Sequence, residues 1–181
     1  MSDTEHSIRL AVVVGSVRDG RFGPVVAEWF AARARGRPAF AVDVVDLAET
    51  GLDTGFAARL EAADAVVVAT PEYNHSFPGP LKTAIDAGDS AWRGKPVGFV
   101  AYGGLSGGLR AVEHLRHVLA ELHAVVVRDT VSFHGAAGAF DPATGQPRDA
   151  GADEAAAVLL DALAWWSRTL RRAEEERGVR A

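Results

Sequence analysis

The chain contains no cysteine. That removes disulfides, thiol nucleophiles and cysteine-ligated zinc or iron–sulfur centres, and it makes a reducing cytoplasm the expected setting. Positive charge is also short: 19 Lys and Arg face 24 Asp and Glu, for a formal net charge of -5. Nucleic-acid recognition calls for a basic surface, so no nucleic-acid partner is expected. No apolar run approaches the roughly 20 residues that span a bilayer. The opening MSDTEHS is acidic and polar, unlike a secretory leader, and no membrane partner is expected. Two phosphate signatures are missing as well. Neither G-x-x-x-x-G-K-[ST] nor G-x-G-x-x-G occurs, so an ordinary ATP or GTP loop and the dinucleotide fingerprint are both excluded.

What remains is a chain of 181 residues, 48% of them hydrophobic, enough for one domain (1–181) with a real core and flexible ends at 1–7 and 174–181. Apolar runs alternate with amphipathic stretches. IRLAVVV (8–14), FAVDVVDL (40–47), Ala65 to Ala69, KPVGFVAYGG (95–104) and AVVVRDTV (124–131) read as strands. Between them run helical periods: Val25, Val26, Trp29 and Phe30; Phe77, Leu81, Ala84 and Ile85; and Leu109, Val112, Leu115, Leu119 and Leu122. A last helix carries Ala155, Val158, Leu159, Ala162, Leu163, Trp166 and Leu170 on one face, then frays into RRAEEERGVRA. Residues 135–153 show no period and read as a Gly/Pro/Ala-rich loop. Strands alternating with helices, apolar on both faces, predict an α/β fold of parallel strands with right-handed crossovers. The expectation is a flavodoxin-like, doubly wound five-stranded parallel sheet, order 2-1-3-4-5, helices on both faces. Ligands of such sheets collect at the C-terminal strand ends, near the point where strand order reverses.

Three loops fall there. The first is VGSVRDGRFGP (14–24). Ser16 offers a hydroxyl, Arg18 and Arg21 offer guanidinium forks, and Gly23 and Pro24 open a helix whose N-terminal amides favour an anion. A phosphate group fits; a glycine turn with solvated arginines is the competing reading. The second loop, TPEYNHSFPGPLK (70–82), is stiffened by three prolines and offers the flat ring of Tyr73 and the two-way amide of Asn74 to a planar heterocycle. A rim aromatic and a plain turn residue are the alternatives there. His75 reads as solvated. The third loop, YGGLSGGLRAVEHLR (102–116), has four glycines in six positions before a helix, which permits a ligand edge to lie against bare backbone. His114 and His117 lack acidic or sulfur partners, so no metal is expected. Trp92 and Trp165 suit either contact surfaces or partial burial.

Together GSVRDGRFGP, TPEYNHSFPGPLKTAID and YGGLSGGLRAVEHLR resemble the NADPH-dependent FMN reductase family of quinone, azo-dye and chromate reductases, over roughly residues 8 to 131. The resemblance implies FMN as cofactor and NADPH or NADH as hydride donor. Ser16 and Arg18, with backbone through Phe22 and Gly23, would hold the phosphate. Pro71, Glu72, Tyr73 and Asn74 would lie along the isoalloxazine, and Gly103, Gly104, Ser106 and Gly107 would close on it. The resemblance also implies a homodimer or homotetramer. Many relatives carry asparagine near the helix start, where this chain has Phe22 and Gly23; Arg21 is the expected replacement. DLAETGLDTGF (46–56) is shorter than the corresponding loop of many relatives.

No acid, base or nucleophile of the protein is singled out for the chemistry, because the cofactor carries it. The expected activity is ping-pong transfer of electrons from NADPH or NADH to a small acceptor such as a quinone, azo compound or free flavin. The alternatives are a non-catalytic FMN sensor or carrier and a flavin reductase serving a partner monooxygenase.

Overall fold

The computed structural model describes residues 7–51 and 54–177; of the ends expected to be flexible, 1–7 and 174–181, residues 1–6 and 178–181 lie outside the described residues. Five strands form one sheet: β1 (Ile8–Val14), β2 (Phe40–Asp46), β3 (Ala65–Pro71), β4 (Pro96–Tyr102) and β5 (Val125–Phe133). They run in the order β2-β1-β3-β4-β5, and every pairing is parallel. The Val, Ile and Ala runs explain this. β3 and β4 are buried along their whole length, as strands covered by helices on both faces must be.

One core layer lies under α1 (Gly23–Arg35) and α7 (Ala152–Arg177), and contains Val12, Phe30, Val100 and Leu159. The other lies under α3 (Thr54–Ala62), α4 (Gly79–Gly88) and α5 (Leu109–Glu121), and contains Val13, Leu60, Ile85 and Leu115. Among the described residues the remaining helical segments are the short helices α2 (Leu47–Thr50) and α6 (Ala136–Ala139) and a single 3-10 helix at Asp89–Trp92. Both α1 and α4 carry proline in the first turn, where the missing N–H costs nothing.

Four expectations need correction. β3 runs two residues past Ala69: β1 pairing ends at Ala69, so Pro71 faces a side with no strand and forfeits no ladder bond. The 135–153 segment is not featureless; α6 and a Phe140–Pro147 bridge organise it. The last helix continues through Arg177 and does not fray at Arg171. Trp92 is no contact surface: it is fully buried, and its Nε1 donates to Ile85 O at 3.0 Å. Trp165 is exposed, as its place off the main apolar face foretold. No helix among the described residues is long and apolar enough to cross a membrane.

Candidate functional site

Strand order reverses between β1 and β3, and the loops after β1, β3 and β4 meet at that edge. Loop A (15–22) leaves β1 with Gly15 N donating to Ala69 O at 2.9 Å. Ser16 is buried, and its hydroxyl shares a 2.8 Å hydrogen bond with the Tyr73 hydroxyl. Arg18 is exposed, with its guanidinium 6.0 Å from the Tyr73 ring centroid, and forms no ion pair among the described residues. Helix α1 has no side-chain cap. The N–H groups of Val17, Asp19, Gly20, Phe22 and Gly23 meet no protein acceptor among the described residues. Free amides at a helix start beside an unpaired arginine form a ready seat for an anion.

Arg21 is engaged by a carboxylate in the ligand-free fold. Its guanidinium donates to Asp46 Oδ2 at 2.6 Å, while its Nε is buried without a partner. Asp46 also caps α2 by accepting from Ala48 N at 3.0 Å. Phe22 contributes backbone to loop A, but its ring turns inward, edge-on to Phe140 at 5.2 Å and to Tyr102 at 6.1 Å.

Loop B (72–78) holds a two-residue turn closed by Tyr73 N to Ser76 O at 2.8 Å and Ser76 N to Tyr73 O at 3.0 Å. Its central residues Asn74 and His75 have φ of 51° and 69°. Two successive non-glycine residues in that region store strain, which concentrates at functional sites. His114 on α5 meets Ser76 Oγ at 3.0 Å and braces the turn.

Glu72 does something the sequence did not announce. Its side chain is only 6% exposed and points at loop C rather than along the open face. It accepts from the Ser106 hydroxyl, from Arg110 N at 3.3 Å and from Arg110 Nε at 2.6 Å. Burial alone would raise this carboxyl; the bonds from Arg110 and Ser106 outweigh it and hold the group below the usual carboxylate range.

Loop C (103–108) is bound along its other edge to β5. Gly103 N donates to Phe133 O at 3.1 Å, the Ser132 hydroxyl to Gly107 O at 2.9 Å, and His134 Nδ1 meets Leu105 O at 2.9 Å. At Gly108 φ is +88° and an added Cβ would lie 2.8 Å from Tyr102 N, so the chain must be glycine there. Gly104 differs: nothing lies within 4 Å of the place of its Cβ. That bare edge is open to a ligand.

The structure therefore brings Ser16, Arg18, Tyr73, Asn74, Gly103, Gly104 and Gly107 to one edge, and gives Arg21, Phe22, Glu72 and Ser106 supporting contacts. Asp46, Tyr102, Arg110, Ser132 and His134 went unread in the sequence. Asp46 had a signal, since it ends the strand that the predicted order sets beside loop A. A further cavity of about 290 Å³ at the opposite strand ends is lined by Asp64, Lys95 and Arg171, but Asp64 there is already bound by Arg9 and Arg171. No group of three or more His, Asp or Glu among the described residues could hold a metal ion.

A family model described as NADPH-dependent FMN reductase matches residues 8–138, the sheet and all three loops. The chain belongs to the NADPH-dependent FMN reductase family. Among its relatives, a quinone reductase of Escherichia coli (strain K12) is 34% identical over 165 residues, covering 81% of this chain and 88% of that protein. An NAD(P)H-dependent FMN reductase of Pseudomonas aeruginosa is 37% identical over 142 residues, 75% of this chain and 76% of that one. The solved flavoenzyme NAD(P)H:(acceptor) oxidoreductase of Paracoccus denitrificans superposes with a TM-score of 0.68 at 25% identity, covering 90% of this chain and 98% of that one. A Streptococcus pneumonia flavodoxin (TM-score 0.63, 20% identity, 87% of this chain and 98% of that one) shares the fold. The free amides and unpaired arginine of loop A and the open edge at Gly104 all lie within the residues matched to the family.

Proposed function

We propose that this protein binds FMN across loops A, B and C and carries electrons from NADPH or NADH to a small acceptor such as a quinone. Loop A carries this reading. Its uncapped helix start, its unengaged amides and the unpaired Arg18 are what a phosphate dianion needs, and the switch point of the sheet is where a nucleotide belongs. FMN, when bound, supplies the hydride-accepting ring.

The protein's residues do the holding. Ser16 and Arg18 take the phosphate with the loop A amides. Tyr73 and Asn74 stand along the ring, and Gly103, Gly104 and Gly107 bound it from the other side. The first amides of α5 are taken up by Ser106 and Glu72, so the N–H groups of Gly104 to Gly107, which meet no protein acceptor among the described residues, are the ones left to favour negative charge on the ring. Glu72 and Ser106 act behind the pocket by joining loops B and C. Ping-pong exchange, with one open face serving donor and acceptor in turn, suits this arrangement.

We assign a homo-oligomer. The support is Leu105, 92% exposed at the tip of loop C, and Leu109 beside it, apolar surface that a second copy would cover. A cysteine-free sequence suits the cytoplasm.

The test is an anaerobic titration of FMN-loaded protein. Bleaching of the flavin absorbance by NADPH or NADH, with recovery on adding a quinone, is the expected result. A flavin colour that neither nicotinamide bleaches makes the protein a carrier or sensor instead.

A further inference from the structure

Tyr102 ends β4, and its side chain runs beneath loop A in the α1 core layer. The residue is 5% exposed, and its hydroxyl is buried without a hydrogen-bond partner. A phenol rarely stays so in a folded interior. Gly23 shows what the hydroxyl is near. A Cβ at position 23 would sit 2.9 Å from Tyr102 Oη, so the phenol fills the space that a side chain at the helix start would take. Phe22 and Gly23 bring no polar side chain there, and α1 has no side-chain cap. Arg21, which acts electrostatically on this phenol, has another unpartnered buried atom, Nε.

We propose that Tyr102 Oη donates a hydrogen bond to the phosphate of the nucleotide seated on loop A, with Arg21 Nε as the second donor. The proposal rests on the reading that the site holds FMN. Tyr102 thereby supplies, from a strand two positions across the sheet, the polar contact that the helix start lacks. Both atoms are shut from solvent in the ligand-free fold, so binding must open a path to them. Burial raises the phenol far above its ordinary range, so it remains a donor at any working pH.

The experiment is Tyr102→Phe, which removes a single hydroxyl that bonds to nothing in the ligand-free fold. FMN and riboflavin dissociation constants are measured by quenching of flavin fluorescence, and melting curves are recorded without ligand and with saturating FMN. The expected result is an FMN affinity lowered about tenfold, the factor of one hydrogen bond to a charged group. Riboflavin, which lacks the phosphate, keeps its affinity. The ligand-free variant melts at or above the wild-type temperature, and the FMN-bound variant below it, a reversal that a merely structural role does not produce. Unchanged FMN affinity overturns the inference and leaves the FMN reading standing. Equal losses for FMN and riboflavin also overturn it, because the ring rather than the phosphate then feels the change. Wild-type protein that binds neither flavin overturns the inference together with the reading beneath it.

Discussion

Arg110 Nε donates to Glu72 Oε1 across 2.6 Å and so joins the loop after β3 to the helix after β4. The two loops that would enclose a flavin ring are fixed to each other before any ligand arrives. Preorganisation of this kind lowers the cost of ordering a site on binding.

Arg110→Ala should cost about 1–2 kcal/mol, a modest value because the arginine is partly solvated while the carboxylate is not. The pH dependence follows from Glu72. Its carboxyl is held below the ordinary range, so its contribution is fully present above the unfolded value of about 4.3 and is lost as pH falls through the folded value. Denaturant melts should therefore show the gap between wild type and variant shrinking as the solution is acidified. A gap that stays constant from neutral pH into acid would remove Glu72 from this role.

Arg18 and Arg21 should separate cleanly. Arg18 is exposed and pairs with no carboxylate, so Arg18→Ala should leave the melting temperature in place and weaken FMN binding by about 1.5–3 kcal/mol. Arg21 is engaged with Asp46 in a half-buried pair, so Arg21→Ala should also lower the melting temperature of the ligand-free protein. Equilibrium dialysis against FMN, paired with thermal melts, distinguishes the two patterns.

Two glycines of loop C should behave in opposite ways. Gly108→Ala puts a Cβ against the Tyr102 backbone in a left-handed conformation and should destabilise by about 1–3 kcal/mol or more. Gly104→Val enters open space, so stability should change by less than about 0.5 kcal/mol while flavin binding is lost. A Gly104→Val protein that retains its full complement of flavin would show that the ring lies elsewhere.

Trp92 gives a check on the core alone. Fully buried against Phe56 and bonded to Ile85 O, it should cost about 3–5 kcal/mol when replaced by alanine. A loss well under 1 kcal/mol in urea melts would mean that the residue is not held as described.

The architecture was legible because parallel strands advertise themselves. IRLAVVV, apart from the exposed Arg9, and AVVVATP are apolar on both faces, and prolines at positions 24 and 80 mark the helices that follow. The loops were legible through residue type: glycine where backbone must come close, as at Gly108. What escaped was pairing across the sequence. Nothing local couples Arg21 to Asp46, 25 positions on, or Glu72 to Arg110, 38 positions on. Tyr102 was hidden for another reason. It closes an apolar strand and reads as core; only the missing partner for its hydroxyl sets it apart.

The most direct test of the whole account is a crystal of the protein soaked in FMN. The account predicts the phosphate on the loop A amides beside Ser16 and Arg18, and the ring between Tyr73 and Gly104. A cleft left empty at saturating FMN, or a flavin bound at another edge of the sheet, would contradict it.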